Sequence, residues 1–319
     1  LIFNYLHIKE GKTLTLEPGT RLFFHDKANL VIDGNLVSNG TLENPVVMRT
    51  DRFDKLPDVD KTPYDYMPGQ WGGIYLQNSK AVHQLNYTSI RGCDLGVVIV
   101  GTASTHPKLT MKNCILHCMT QYGLYAQNAQ VTIENTEISN CGTSCLYLLG
   151  GESYVVHATL ANYYNWGKRQ SETLVIANYQ LDGNLLYLYP ITSSVVENSI
   201  VFGNQSKEIL LQKDTFTNAM YNVLVSNTLI KSKRLEDAEF HNITWARSQN
   251  TTVQGVSDTV FVNTSTEKIA ETGYYNFQLD VKSIARSKAN TTVAGRYPVD
   301  LLGKNRLLDG APDLGAYEK

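Results

Sequence analysis

The 319-residue chain is 42% apolar but only 18% charged. Its core-forming content is ordinary and its charge density is below the roughly 25% of an average soluble domain. With 28 basic and 30 acidic residues, the net charge is −2 and no Lys/Arg block stands out, which argues against a nucleic-acid partner, because phosphate binding needs clustered cations. The longest clean apolar run, Leu95 to Val100, falls far short of the ~20 residues of a membrane-spanning helix.

In chain order, Thr13-Leu-Thr-Leu16, Asn29-Leu-Val-Ile32 and Pro45-Val-Val-Met48 read as short alternating strands, joined by Pro18-Gly19 and Asp33-Gly34 turns. Residues 51–70 break the pattern. They hold Asp51, Asp54, Asp58, Asp60 and Asp65, the aromatic residues Tyr64 and Tyr66, and the breakers Pro57, Pro63, Pro68 and Gly69. A loop excursion of this length in a packed chain is expected to carry function. Strand character returns at Trp71. Farther on, Leu109-Thr-Met-Lys-Asn113 recurs as Val131-Thr-Ile-Glu-Asn135, an offset of 131 − 109 = 22. In the same frame Leu116 maps to Ile138, Gly123 to Cys145, Leu124 to Leu146, and Ile138 onward to Leu160. The segment Ser89 to Val98 fits with a shift of 26–27, and Glu197 to Gly203 and Asn222 to Ile230 are partial copies.

Each unit holds two or three strands of alternating polarity, which places one face inward. Gly and Asn mark the corners, where φ > 0 is needed. The units have no 3.6-residue period and are rich in β-branched residues. One coil cannot bury its own inner face, but stacked coils share a continuous core. The expected fold is therefore all-β: a single-stranded right-handed parallel β-helix, a pectate-lyase-like solenoid of about ten coils spanning residues 1–319. The five cysteines, Cys93, Cys114, Cys118, Cys141 and Cys145, are odd in number and form no disulfide framework. The repeat puts Cys93, Cys118 and Cys141 near one corner, where a buried thiol acts as a small hydrophobe. A metal pair and an inter-coil disulfide are the competing readings.

Several segments resemble a known family. Leu16-Glu-Pro-Gly-Thr-Arg-Leu22, Val31-Ile-Asp-Gly-Asn-Leu36, the Asp51-Arg52 loop and Pro68-Gly-Gln-Trp-Gly-Gly-Ile74 are similar to exported β-helix surface lipoproteins of Bacteroides-type gut bacteria. So is the C-terminal run from Tyr275-Asn-Phe-Gln-Leu279 through Asp300, Gly303, Arg306 and Gly310 to Asp313-Leu-Gly-Ala-Tyr-Glu318. The resemblance implies export to the outer membrane or cell surface. It also implies attachment through a lipid-bearing cysteine upstream of Leu1, where any targeting segment is expected too. Residues 297–319 read as a closing segment that covers the open end of the last coil, with Gly303, Gly310 and Gly315 in tight turns and Arg306 paired to Asp313 or Asp300.

Hydrolysis of a glycosidic bond needs two carboxylates at a set separation. The coil acids Asp94, Glu134, Glu137, Glu152 and Glu197 occur singly, and the odd spacing of Glu134 and Glu137 points them to opposite faces. The seven histidines, His7, His25, His83, His106, His117, His157 and His241, are scattered, and no zinc or phosphate-loop pattern is present. No cofactor and no metal are expected. The leading reading is a non-catalytic exported surface protein that binds or displays against a polysaccharide or glycan. The alternatives are a polysaccharide lyase or glycoside hydrolase with an unfamiliar site, and a purely structural spacer. Sugar rings stack on aromatic faces. If the chain has a ligand site, it is expected at Tyr64, Tyr66 and Trp71 with Asp65, the loop lying against one lateral sheet with Trp71 at its base; packing of the loop onto the coils is the competing reading of these aromatic residues. A second aromatic group, Tyr163, Tyr164 and Trp166, is expected to pack a loop onto the coils.

Overall fold

The computed structural model describes residues 1–55, 62–246, 259–265 and 274–319. The strands of each coil pair in parallel with those of the next, making a parallel β-helix with three long faces. The first sheet begins with Tyr5–Ile8, Asn29–Ile32, Trp71–Leu76 and Cys93–Val100, and the second with Thr13–Leu16, Asn35–Asn39, Val82–Asn86 and Lys108–Lys112. In the fifth and sixth coils the long strands Leu124–Glu134 and Leu146–Val156 run through both sheets. The third sheet has nine strands, from Arg21–Phe24 to Thr244–Ala246, so nine coils are present among the described residues. The 22-residue repeat is the coil length: Leu109 pairs with Val131, Val131 with Ser153, and Ile138 with Leu160. The longer upstream shift also holds, with Ser89 beside Ile115 and Val97 beside Leu124.

The corner between the second and third sheets repeats with little variation. Its residue is Tyr87, Asn113, Asn135, His157, Asn198, Asn227 or Asn242 in successive coils, always at φ between 40° and 55°. Asn tolerates this left-handed backbone because its short polar side chain can bond locally. At five of these corners the N–H extends the ladder into the next coil, as from Asn113 to Glu134 O (3.1 Å) and from Asn135 to Val156 O (3.2 Å). A small hydroxyl usually follows and donates back across the corner: Thr136 to Glu134 O, Ser199 to Glu197 O and Thr228 to Ser226 O, each at 2.8 Å. Cys114 takes this place in its own coil, its thiol donating to Lys112 O. All five cysteines are buried and free.

Alternation does not survive the corner. Glu134 ends a strand of the second sheet and Glu137 opens one of the third. The intervening left-handed residue resets the pleat, so both side chains point outward, on two faces, contrary to the spacing argument. The sequence also gave no warning of the antiparallel hairpin Tyr179–Asp182 with Leu185–Leu188, which leaves the seventh coil.

The closing segment does not cap the end of the solenoid. Residues 274–319 run back along the outer face of the third sheet. Two corner asparagines hold them there: Asn135 donates to Val299 O (2.9 Å), and Asn198 exchanges hydrogen bonds with the backbone of Asn290. Leu314, Ala316 and Tyr317 pack with Ala161, Ile200 and Leu229 of the third sheet in a second apolar core. Covering this face removes outward Ile and Leu side chains from water, which stabilises the docked segment. Arg306, 0% exposed, bonds Glu318 (3.5 Å) and Asn135 (3.1 Å) rather than forming the expected bond to Asp313 or Asp300. Burial pulls its guanidinium down to about 10 against the pull of Asp300, Glu318 and Asp313, and burial pushes Glu318 up to about 7. Removing one member of such a buried group typically costs 3–5 kcal/mol. Arg306→Met should therefore lower the unfolding free energy by about that amount in a urea titration.

A histidine stands inside the solenoid. His83 is fully buried between Leu36, whose N–H donates to its Nδ1 (3.2 Å), and Leu109 of the next coil. Burial lowers its pKa to about 4. The unfolded chain takes up this proton near pH 6.5 and the folded chain only near 4, so the contribution of His83 is complete above pH 6.5 and is lost as the pH falls through that window. The slope is at most about 1.4 kcal/mol per pH unit. His83→Leu should flatten this part of the stability–pH curve while costing about 1–3 kcal/mol at pH 7, since the Leu36 N–H loses its acceptor. Denaturant titrations of both chains from pH 7 to pH 4 would show whether the two curves converge.

Candidate functional site

The third sheet presents two outward positions per coil. In the third, fourth and fifth coils these are Ser89 and Arg91, Ile115 and His117, and Glu137 and Ser139, in lateral register. They form the floor of a cavity of about 390 Å³. Tyr66, from a short 3-10 turn at Tyr64–Tyr66, makes one wall. Tyr274 to Gln278, from the returning segment, makes the other, and Leu302 and Tyr317 close one side. The walls meet where Tyr66 stacks on Tyr274 (4.5 Å between centroids, 26°). Tyr275 and Phe277 stand nearly parallel at 5.9 Å. Both approach the His117 ring, at 5.3 and 6.2 Å, and Tyr66 meets it edge-on at 5.3 Å.

Beneath the rings runs a continuous hydrogen-bonded line. Tyr317 Oη donates to Glu137 Oε2, Ser139 Oγ donates to Glu137 Oε1 (2.7 Å), and His117 Nδ1 lies 2.7 Å from Ser139 Oγ. Burial raises the Glu137 carboxyl, and the two hydroxyls draw it back. Burial, with the nearby positive charge of Arg91, lowers His117 to about 3, so the imidazole is neutral at physiological pH. The order His–Ser–Glu is not a nucleophilic triad. In a triad the histidine takes the serine proton and the carboxylate steadies the histidine. Here Ser139 donates to Glu137 instead, so the histidine does not stand between the serine proton and a carboxylate. What the cavity offers is aromatic surface for the apolar faces of a ring and polar groups for its edges.

Of the sequence-predicted residues, Tyr66 lines this cavity. Tyr64 lies beside it under the guanidinium of Arg52, 3.4 Å from its ring centroid, and Arg52 is held by Asp54 (2.7 Å). Asp65 belongs to the same turn, but its side chain, like Asp58 and Asp60, lies outside the described residues. Asp51 pairs with His25 at 2.8 Å. Trp71 is a correction. It is 0% exposed, stacks on Phe24 inside the solenoid (4.1 Å, 9°) and donates to Arg91 O, so it offers no face to a ligand. The backbone explains the misreading. A register shift beside Gly73, at φ 142°, breaks the alternation that would have turned Trp71 outward from Ile74. The cluster at 163–166 does pack a loop: Tyr163 lies against Phe261 and Phe277, and Arg169 anchors the loop through a buried bidentate pair with Glu208 (2.7 and 2.9 Å). Among the described residues no group of three or more His, Cys, Asp or Glu side chains is placed to hold a metal ion.

Sequence reasoning missed Arg91, His117, Glu137, Tyr274, Tyr275 and Phe277. The register made Arg91 and His117 neighbours on an outward face, a signal that was available. The position of the returning strand was not encoded in any repeat.

The two aromatic residues should separate cleanly on substitution. Trp71→Ala leaves a large interior void and should cost about 3–5 kcal/mol. Tyr66→Ala, at a partly open wall, should cost clearly less. Guanidinium unfolding midpoints of the two variants check this, and comparable losses would make the loop part of the core.

Among the described residues no helix is long and apolar enough to cross a membrane. No curated protein matches the chain. The family described as the right-handed β-helix region matches it over residues 10–162 and again over 72–253. With parallel rungs stacked along the described coils, the chain belongs to the right-handed β-helix family.

Proposed function

We propose that this is an exported, surface-held β-helix protein that binds glycan without turning it over, in the aromatic cavity on the third sheet. One observation carries the reading. Tyr66, Tyr274 and Tyr275 line the cavity above a floor that carries Arg91, His117 and Glu137, a combination suited to a sugar ring with apolar faces and a polar rim. A cavity of about 390 Å³ lies within the usual range for small-ligand sites. The low charge content and the resemblance of both termini to surface lipoproteins support export and a lipid anchor upstream of Leu1. The order of the His117–Ser139–Glu137 line, which is not that of a nucleophilic triad, favours binding over catalysis.

A hydrolase reading has one observation in its favour. On the second sheet Glu134 and Glu197 fall in one column with Val156 between them. Two strand spacings, about 9.5 Å, reach the upper end of the separation used for inversion. Against it, each carboxylate already has a cation: Lys112 at 2.9 Å from Glu134 and Arg296 at 3.1 Å from Glu197. A glycan array run beside reducing-sugar and ultraviolet unsaturation assays on host and plant polysaccharides separates the readings. Binding without product, lost in Tyr66→Ala, is the expected result. Product formation that Glu134→Gln abolishes would establish the hydrolase instead, and silence in every assay would leave a structural spacer.

A further inference from the structure

We infer that His117 selects the ligand of this cavity, and that it selects an uncharged, hydroxyl-bearing sugar ring over an acidic one. The inference rests on the glycan-binding reading and specifies the class of glycan.

The argument follows the protons. Ser139 has one hydroxyl proton and gives it to Glu137 Oε1, so toward His117 it can only accept. The other carboxylate oxygen of Glu137 accepts from Tyr317, so both oxygens are occupied as an ionised carboxylate would have them. The proton of the neutral imidazole therefore sits on Nδ1, and Nε2 carries a bare lone pair. His117 is only 4% exposed, lines the cavity, and its Nε2 has no hydrogen-bond partner. A buried polar atom without a partner is destabilising and calls for an explanation. A ligand group that fills this position must donate. A sugar hydroxyl does so, whereas an ionised carboxylate would set its own lone pairs against that of Nε2. Protonation of the ring, which would reverse the preference, is opposed by burial and by Arg91. The three rings around His117 restrict the approach to its edge, which fits a planar stack of a pyranose on Tyr66 or Tyr275 with one hydroxyl turned down to Nε2.

The test uses the whole chain with neutral gluco-, galacto-, manno- and xylo-oligosaccharides and the matched uronate oligomers. Long-range nitrogen–proton NMR on the labelled wild-type protein reads the tautomer of His117 directly. The Nδ1–H form is expected, and the Nε2–H form would overturn the inference with no ligand needed. By calorimetry a neutral oligomer should bind about tenfold or more tighter than its uronate counterpart. His117→Phe, which keeps the ring and removes the acceptor, should weaken the neutral ligand about three- to tenfold. The mono-deoxy analogue lacking the hydroxyl read by His117 should lose the same factor against the wild-type protein and nothing further against the variant. If His117→Phe fails to fold, the deoxy series on the wild-type chain and the tautomer decide. Neutral ligands that bind indifferently to every single-hydroxyl deletion, or uronates that bind tighter, overturn the role of His117 while leaving glycan binding intact. No binding by either panel overturns both.

Discussion

The left-handed corner between the second and third sheets is the constraint on which the rest of the molecule hangs. It turns the chain at one position in each coil, and its N–H and the hydroxyl beside it carry the ladder around the bend without leaving a backbone group unpaired. Using asparagine there adds a second capacity. Its amide stands at the edge of the sheet, and in two coils it grips the returning chain: Asn135 binds Val299 O and the guanidinium of Arg306, and Asn198 binds Asn290. The cavity exists because that chain is held. Remove the tail and Arg91, His117 and Glu137 would lie on an open sheet.

The three faces differ for the same reason. The second sheet shows water a lattice of Lys, Gln, Thr and Glu side chains, with Lys112 beside Glu134 and Gln130 beside Glu152. The third shows Ile115, Ala161, Ile200 and Leu229 outward, which would be an exposed apolar stripe if uncovered. Burying it brings polar groups down as well, and charged side chains among them are paired. Arg169 meets Glu208 and Thr173, and Arg306 sits among Glu318, Asp300 and Asp313. The floor of the cavity is the part of the third sheet where this cover stands off and leaves the His117–Ser139–Glu137 line reachable.

The coils were legible in the sequence because parallel stacking places equivalent residues at equal offsets: Leu109, Val131 and Ser153 share one column, and the 22-residue spacing is a direct print of geometry. Chemistry outside the repeat was harder to read. Trp71 was misplaced because a local register shift at Gly73 inverts a period-two argument, and Glu137 because the corner resets it. His117 looked like an isolated histidine, since its partners come from the next coil and from residues more than 150 positions away, whose packing carries no periodic mark. Tyr66 was found because an excursion rich in aromatic residues has few ways to bury them, and the nearest sheet is one.

The route of the tail sets an order on folding. A solenoid can grow by adding each coil to the one before it, closing short loops of constant size. The contact from Asn135 to Val299 spans 164 residues, and Tyr317 reaches back 180 residues to Glu137. These contacts close last and carry the largest loop entropy, although that entropy grows only logarithmically with length. The aromatic cavity is therefore assembled only when the final residues dock on the coils behind them. A chain that stalls short of Tyr317 would have a finished spine but no finished cavity, so the state of this cavity reports on the far end of the sequence.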